Sequence, residues 1–211
     1  MATRQPTATE TQVSAAATVA NPGPVGLAAF AMTTFVLSCF NAHFINAKVE
    51  SVVLPLALFY GGTVQLLAGM WEFRRNNTFA ATAFSSFGAF WLSFAAYVKF
   101  VVPSIGATGH EYQATGVYLL AWAIFTGYMT VAALRTTAAT FSVFLFLTLT
   151  FVILTIGAFG QSTGWTKLGG WFGLITAALA WYTSWAEVTA TTFGRYVLPV
   201  WPLRGRVPLE R

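Results

Sequence analysis

Apolar residues occur in six long runs, at about residues 25–44, 51–72, 79–98, 114–134, 138–158 and 169–190, with short polar interruptions between them. Each run is close to the roughly 20 residues that a helix needs to cross a hydrocarbon core of about 30 Å. No stretch sustains the alternation of a half-buried strand, and barrel strands would be shorter and polar on one face. The pattern predicts an all-α membrane protein with six transmembrane helices.

The interruptions have local causes. Asn21-Pro22-Gly23-Pro24 rejects regular helix before the first run. Lys48 and Glu50 separate the first two runs, and Arg74, Arg75, Asn76 and Asn77 the next two, with Asn77 or Thr78 available as an N-cap. Residues 99–113, with Lys99, Pro103, Gly106, Gly109, His110 and Glu111, are expected to form the longest loop. Arg135, Thr136 and Thr137 make a tight turn, and Gly157, Gly160, Gly164, Lys167 and Gly169-Gly170 the last loop. Residues 1–20, rich in Thr and Ala with no apolar signal core, read as a disordered cytoplasmic tail. Residues 21–194 then form the membrane domain, and 195–211 a C-terminal cytoplasmic tail.

Charge sharpens this picture. Only 8% of the 211 residues are charged and 56% are hydrophobic, whereas a soluble domain carries about 25% charged residues. Mean hydropathy is +0.66. Tails and even-numbered loops hold Arg4, Arg74, Arg75, Arg135, Arg195, Arg204, Arg206 and Arg211; odd-numbered loops hold only Lys48, Lys99 and Lys167. That asymmetry places both termini in the cytoplasm, with Tyr196 and Trp201 suited to the interface. The scattered basic residues form no face for nucleic acid. Cys39 is the single cysteine, which excludes a disulfide framework and a Cys-based metal site.

Chemistry-bearing residues are sparse. No nucleophile, Walker or dinucleotide motif and no His-rich metal pattern occurs, so neither an enzyme nor a cofactor or metal site is expected. His43 and His110 fall near outer ends and read as solvated or interfacial. Glu72 and Glu187 are the only acids against span ends. They admit two readings, interfacial ion pairing that fixes helix packing, or carboxylates that bind protons or gate. Asn21, Thr33, Thr34, Asn41, Gln65 and Ser86 are neutral candidates for the lining of a polar route, while Ser85, Thr126 and Thr130 read first as interhelical glue. Gly61-Gly62 in the second run allows irregular backbone beside such a route.

Several motifs together resemble the acetate uptake transporter family, which includes bacterial acetate/succinate transporters and yeast ammonia-and-acetate proteins. They are Asn21-Pro22-Gly23-Pro24-Val25-Gly26-Leu27 with Phe30, and Phe59-Tyr60-Gly61-Gly62 with Gln65, Ala68-Gly69 and Glu72. Asn77-Thr78-Phe79, Thr82-Ala83-Phe84, Gly88 and Phe90-Trp91 follow, and Gly169-Gly170-Trp171, Gly173, Glu187-Val188, Phe193-Gly194-Arg195 and Leu198-Pro199 close the set. The resemblance spans about residues 21–200. It implies a six-helix protomer in a homohexamer in the plasma membrane (the inner membrane of a bacterium), each protomer having its own path for acetate or related small carboxylates such as succinate. It also implies a hydrophobic Phe-Leu-Tyr constriction, carried over onto Phe30, Leu147 and, in the tyrosine position, Phe87. Gly23 stands where the family usually has Ala. The expected function is a transporter or channel for small carboxylates, proton-coupled or passing the neutral acid. Transport of another small solute such as ammonia, and a non-transporting sensor or assembly protein, are the alternatives.

Overall fold

The computed structural model describes residues 19–203; the expectations for residues 1–18 and 204–211 lie outside them. Six long helices account for nearly all of this stretch: α1 Gly23–Asn41, α2 Ala47–Arg74, α3 Thr78–Thr108, α4 Glu111–Ala133, α5 Ala138–Phe159 and α6 Thr163–Phe193. The first five are long and apolar enough to cross a membrane. The sixth is also the right length, at 31 residues, but Lys167, Glu187 and its many Thr and Gly residues make it more polar. The fold is therefore all-helical and multi-pass, with no strands among the described residues.

Two boundaries differ from the sequence expectation. The loop expected at 99–113 is helix as far as Thr108. Pro103 has no N–H to donate, which would break a regular α-helix. Here a π-helical turn at Tyr97–Val101 comes first, and Pro103 falls in the first turn of the segment that resumes at Val102, where a missing N–H costs least. Gly109, with φ +69°, ends the helix. The loop expected at 157–170 shrinks to the residues around Gly160–Ser162, because Ser162 caps α6 by accepting from Trp165 N–H. Gly164, Lys167 and Gly169-Gly170 are helical. A Cβ on Gly170 would overlap the backbone of Ala42, so these glycines serve close helix packing rather than a turn. Lys99 and Lys167 accordingly lie within helices, both exposed.

Other signals act as read. Asn77 Oδ1 accepts from Ala80 N–H at 3.2 Å; Thr137, read only as part of a tight turn, also caps α5, its Oγ1 accepting from Thr140 N–H at 3.1 Å. Gly61-Gly62 sits in a π-helical turn, Phe59–Val64, where the Thr63 hydroxyl donates to Leu58 O at 2.8 Å.

The helices are neighbours in the order α3-α2-α1-α6-α5-α4, and aromatic contacts close the ring between α3 and α4: Phe87 with Trp122 at 5.9 Å and Phe90 with Trp122 at 5.0 Å between centroids. Inside is one cluster of buried apolar side chains drawn from every helix. After α6, Gly194 (φ +65°) reverses the chain. The segment from Leu198 onward then returns to the start of α5, where Ala138 and Ala139 donate N–H groups to Trp201 O at 2.8 Å and Val200 O at 3.3 Å. These are first-turn N–H groups that a helix leaves without internal partners.

Candidate substrate pathway

The residues expected at a constriction come from α1, α3 and α5, and all three are buried: Phe30 at 4% exposure, Phe87 at 3% and Leu147 at 4%. The Phe30 and Phe87 rings lie 5.7 Å apart, and Leu147 belongs to the same cluster. Phe87 also contacts Phe125 at 5.4 Å and Phe144 at 6.2 Å. Three other helices, α1, α4 and α5, thus hold its ring, and no polar atom of its own enters the layer.

The polar candidates divide into three groups. Thr33 is fully buried, but its hydroxyl donates to Ala29 O at 3.0 Å and its side chain fills the space that Gly61 leaves; its role is packing. Thr34 and Gln65 are different, for they are buried and their Thr34 Oγ1 and Gln65 Oε1 have no hydrogen-bond partner. Such atoms are costly unless water or a ligand reaches them. Ser86 is half-buried on α3, and Asn41 is half-buried at the far end of α1.

Asn21, Glu72 and Glu187 meet at the opposite end of α1 from Asn41. Asn21 Oδ1 accepts from Gly23 N–H at 2.9 Å and from Arg75 Nη1 at 2.6 Å. Arg75 Nη1 lies 3.6 Å from Glu72 Oε2. A Cβ built on Gly23 would stand 2.8 Å from Glu187 Oε2, 3.0 Å from Asn21 Oδ1 and 3.6 Å from Glu72 Oε1, so three side chains converge on this one glycine. Ser184, one turn before Glu187, donates to Pro24 O at 2.6 Å and ties α6 to the start of α1. Beyond α6, burial pushes the Tyr196 phenol above its ordinary pKa, and the charge of Glu187 adds to the shift.

Sequence reasoning missed Trp91 and gave Ser85 and Arg75 other roles. Trp91 is buried with its indole N–H unpartnered, one helical turn along α3 from Phe87, and Ser85 Oγ is likewise unpartnered against Gly69. Arg75 was read as a topology charge and, at the same depth as Glu72 and Glu187, as one of several arginines available for ion pairing. A lone Trp in an apolar run gives no sequence signal for an unpaired donor.

The bundle thus combines a buried aromatic layer with unpaired polar atoms in the same core. The chain belongs to the GPR1/FUN34/yaaH family, whose profile matches residues 3–205. It is 48% identical over 183 residues to accumulation of dyads protein 2 of Saccharomyces cerevisiae, covering 85% of this chain and 64% of that protein. It spans, then, a little under two thirds of that relative's length. It is 38% identical to the succinate-acetate/proton symporter SatP of Escherichia coli, covering 86% of this chain and 95% of the symporter. A solved structure of the bacterial acetate channel SatP superposes with a TM-score of 0.79 at 38% identity, covering 86% of this chain and 99% of that one. The relatives named for an activity here are a symporter and a channel, not enzymes.

Proposed function

We propose that this protein passes acetate and related small carboxylates across the plasma membrane, the substrate crossing the Phe30–Phe87–Leu147 layer as the neutral acid. The relatives' names supply the substrate class, and the layer supplies the form that crosses. A carboxylate moved into hydrocarbon without a partner meets a desolvation cost of several kcal/mol or more. Helix N-termini and hydroxyls offset roughly 0.3–2 kcal/mol each, and the layer's three side chains offer no hydrogen bond. A protonated acid avoids most of that cost. The unpaired Thr34, Gln65, Ser85 and Trp91 atoms are the groups proposed to meet the carboxyl group or its water beside the layer.

All six helices are taken to span, with both termini cytoplasmic, and protomers to assemble as a hexamer with one path each. The eight-to-three distribution of basic residues supports the orientation. The single observation that carries the reading is the Phe30–Phe87 contact at 5.7 Å inside the buried core. The experiment is uptake of labelled acetate into proteoliposomes, against protein-free liposomes and with unlabelled acetate and succinate as competitors. Protein-dependent uptake that both acids reduce is expected; uptake no faster than in protein-free liposomes would refute it.

A further inference from the structure

We propose that Glu72 and Glu187 bind one proton between them at the Gly23 junction, and that this shared proton clamps α6 to α2 across the start of α1. The argument begins from donors and acceptors. An ionised carboxylate only accepts. Glu72 is 1% exposed. Its Oε2 receives no hydrogen bond. The Arg75 Nη1 that lies 3.6 Å from that oxygen donates at 2.6 Å to Asn21 instead. Asn21 Oδ1 is itself filled by Arg75 and Gly23. Glu187 Oε2 then enters the same space from α6, where the absent Cβ of Gly23 makes room for it. Two acidic groups thus face one guanidinium across a glycine backbone. A carboxyl pair in this position, Glu72 buried and Glu187 half-buried, holds a proton, because two adjacent negative charges are costly away from bulk water.

The surroundings contribute little further charge. The start of α1 offers Asn21, Pro22, Gly23 and Pro24, none of which titrates. The end of α2 adds Arg74, which is exposed, and Arg75; the turn into α3 adds only Asn76 and Asn77. Beyond α6 stand Arg195, exposed, and Tyr196, which feels the charge of Glu187. Loss of the proton leaves two carboxylates against Arg75, and their repulsion acts between α2 and α6 across the first turn of α1. Ser184, bonded to Pro24 O, ties α6 to α1 at the same end. Release of the proton to a neutral compartment therefore loosens the bundle at the end where α1 begins. This gate rests on the transport reading; the proton site does not.

The test uses the full chain in proteoliposomes without acetate. Infrared difference spectra are recorded on acidification for the wild type, Glu72→Gln and Glu187→Gln, each isosteric variant first shown to be monodisperse. A protonated-carboxyl C=O band that the wild type gains and both variants lack is the expected result. A band that persists in either variant, or no difference between the wild type and the variants, overturns the shared proton. In parallel, acetate uptake is measured against the pH on the Arg75 side. Both variants are expected to lose the pH dependence of the wild type; an unchanged pH profile overturns the gate. Absence of any protein-dependent acetate uptake by the wild type would count against the transport reading alone, the infrared band still deciding the proton site.

Discussion

The rings of Phe30 on α1 and Phe87 on α3 meet inside the bundle with centroids 5.7 Å apart and planes inclined by 54°. Neither residue is near a helix end, and both are almost fully buried. Their contact joins two helices that touch little elsewhere, so it is a local narrowing and not part of a continuous helix seam.

Phe87→Ala is therefore expected to open this layer and admit larger carboxylates. Removing a buried Phe costs about 3–5 kcal/mol, so the folded fraction must be measured alongside transport. Phe87→Tyr keeps the ring and adds a hydroxyl to an apolar layer; it is expected to shift the substrate profile with little loss of folding. Competition by carboxylates of increasing size checks both. An unaltered profile in well-folded Phe87→Ala would show that Phe87 only packs.

Orientation has a direct check. Cysteines introduced beside Lys99 or Lys167 are expected to react with an impermeant reagent from outside, and those beside Arg74 or Arg135 are not. Native Cys39 is 8% exposed, which keeps background labelling low. The reverse pattern would invert the topology.

The returning C-terminal segment is expected to stabilise the bundle. Tyr182 OH donates to Pro199 O at 2.6 Å, and Val200 is buried against Ala139 and Ala186. Tyr182→Phe removes that hydrogen bond, worth about 1 kcal/mol, and removal of the residues from Val200 onward uncovers the first turn of α5 as well. The midpoint of thermal unfolding in detergent should fall modestly in the first case and further in the second. Equal midpoints would mean that the segment bears no load.

Gly170 is expected to tolerate no side chain. A Cβ there meets the backbone of Ala42, which cannot rotate aside, so Gly170→Ala should destabilise by about 1–3 kcal/mol. Exposed Gly164 has only Ser162 Oγ nearby, at 3.8 Å, and its Ala variant serves as the control. Equal stability of the two variants would count against close packing of α1 on α6.

What the sequence made legible was whatever local signals govern. Asn77 caps a helix where its side chain implies, and Gly61-Gly62 coincides with irregular backbone. Pro103 and Gly169-Gly170 misled because the signal for a break was absorbed by tertiary structure, a π-helical turn in one case and a tight helix crossing in the other. Asn21, Glu72 and Glu187 were each visible as isolated polar residues. Their meeting at Gly23 depends on three helices far apart in sequence, and no spacing rule encodes it. The unpaired Trp91 N–H likewise follows from what surrounds it rather than from the residue itself.

The proposed passage of the neutral acid is tested most directly by recording acetate flux and charge movement together. The preparation is proteoliposomes on a supported membrane, at several external pH values and against a protein-free control. The expected result is protein-dependent uptake that rises as external pH falls and carries no sustained current, the proton moving with the substrate. A sustained current carried by acetate and indifferent to the proton gradient would contradict it, and would mean that the anion itself passes Phe30 and Phe87.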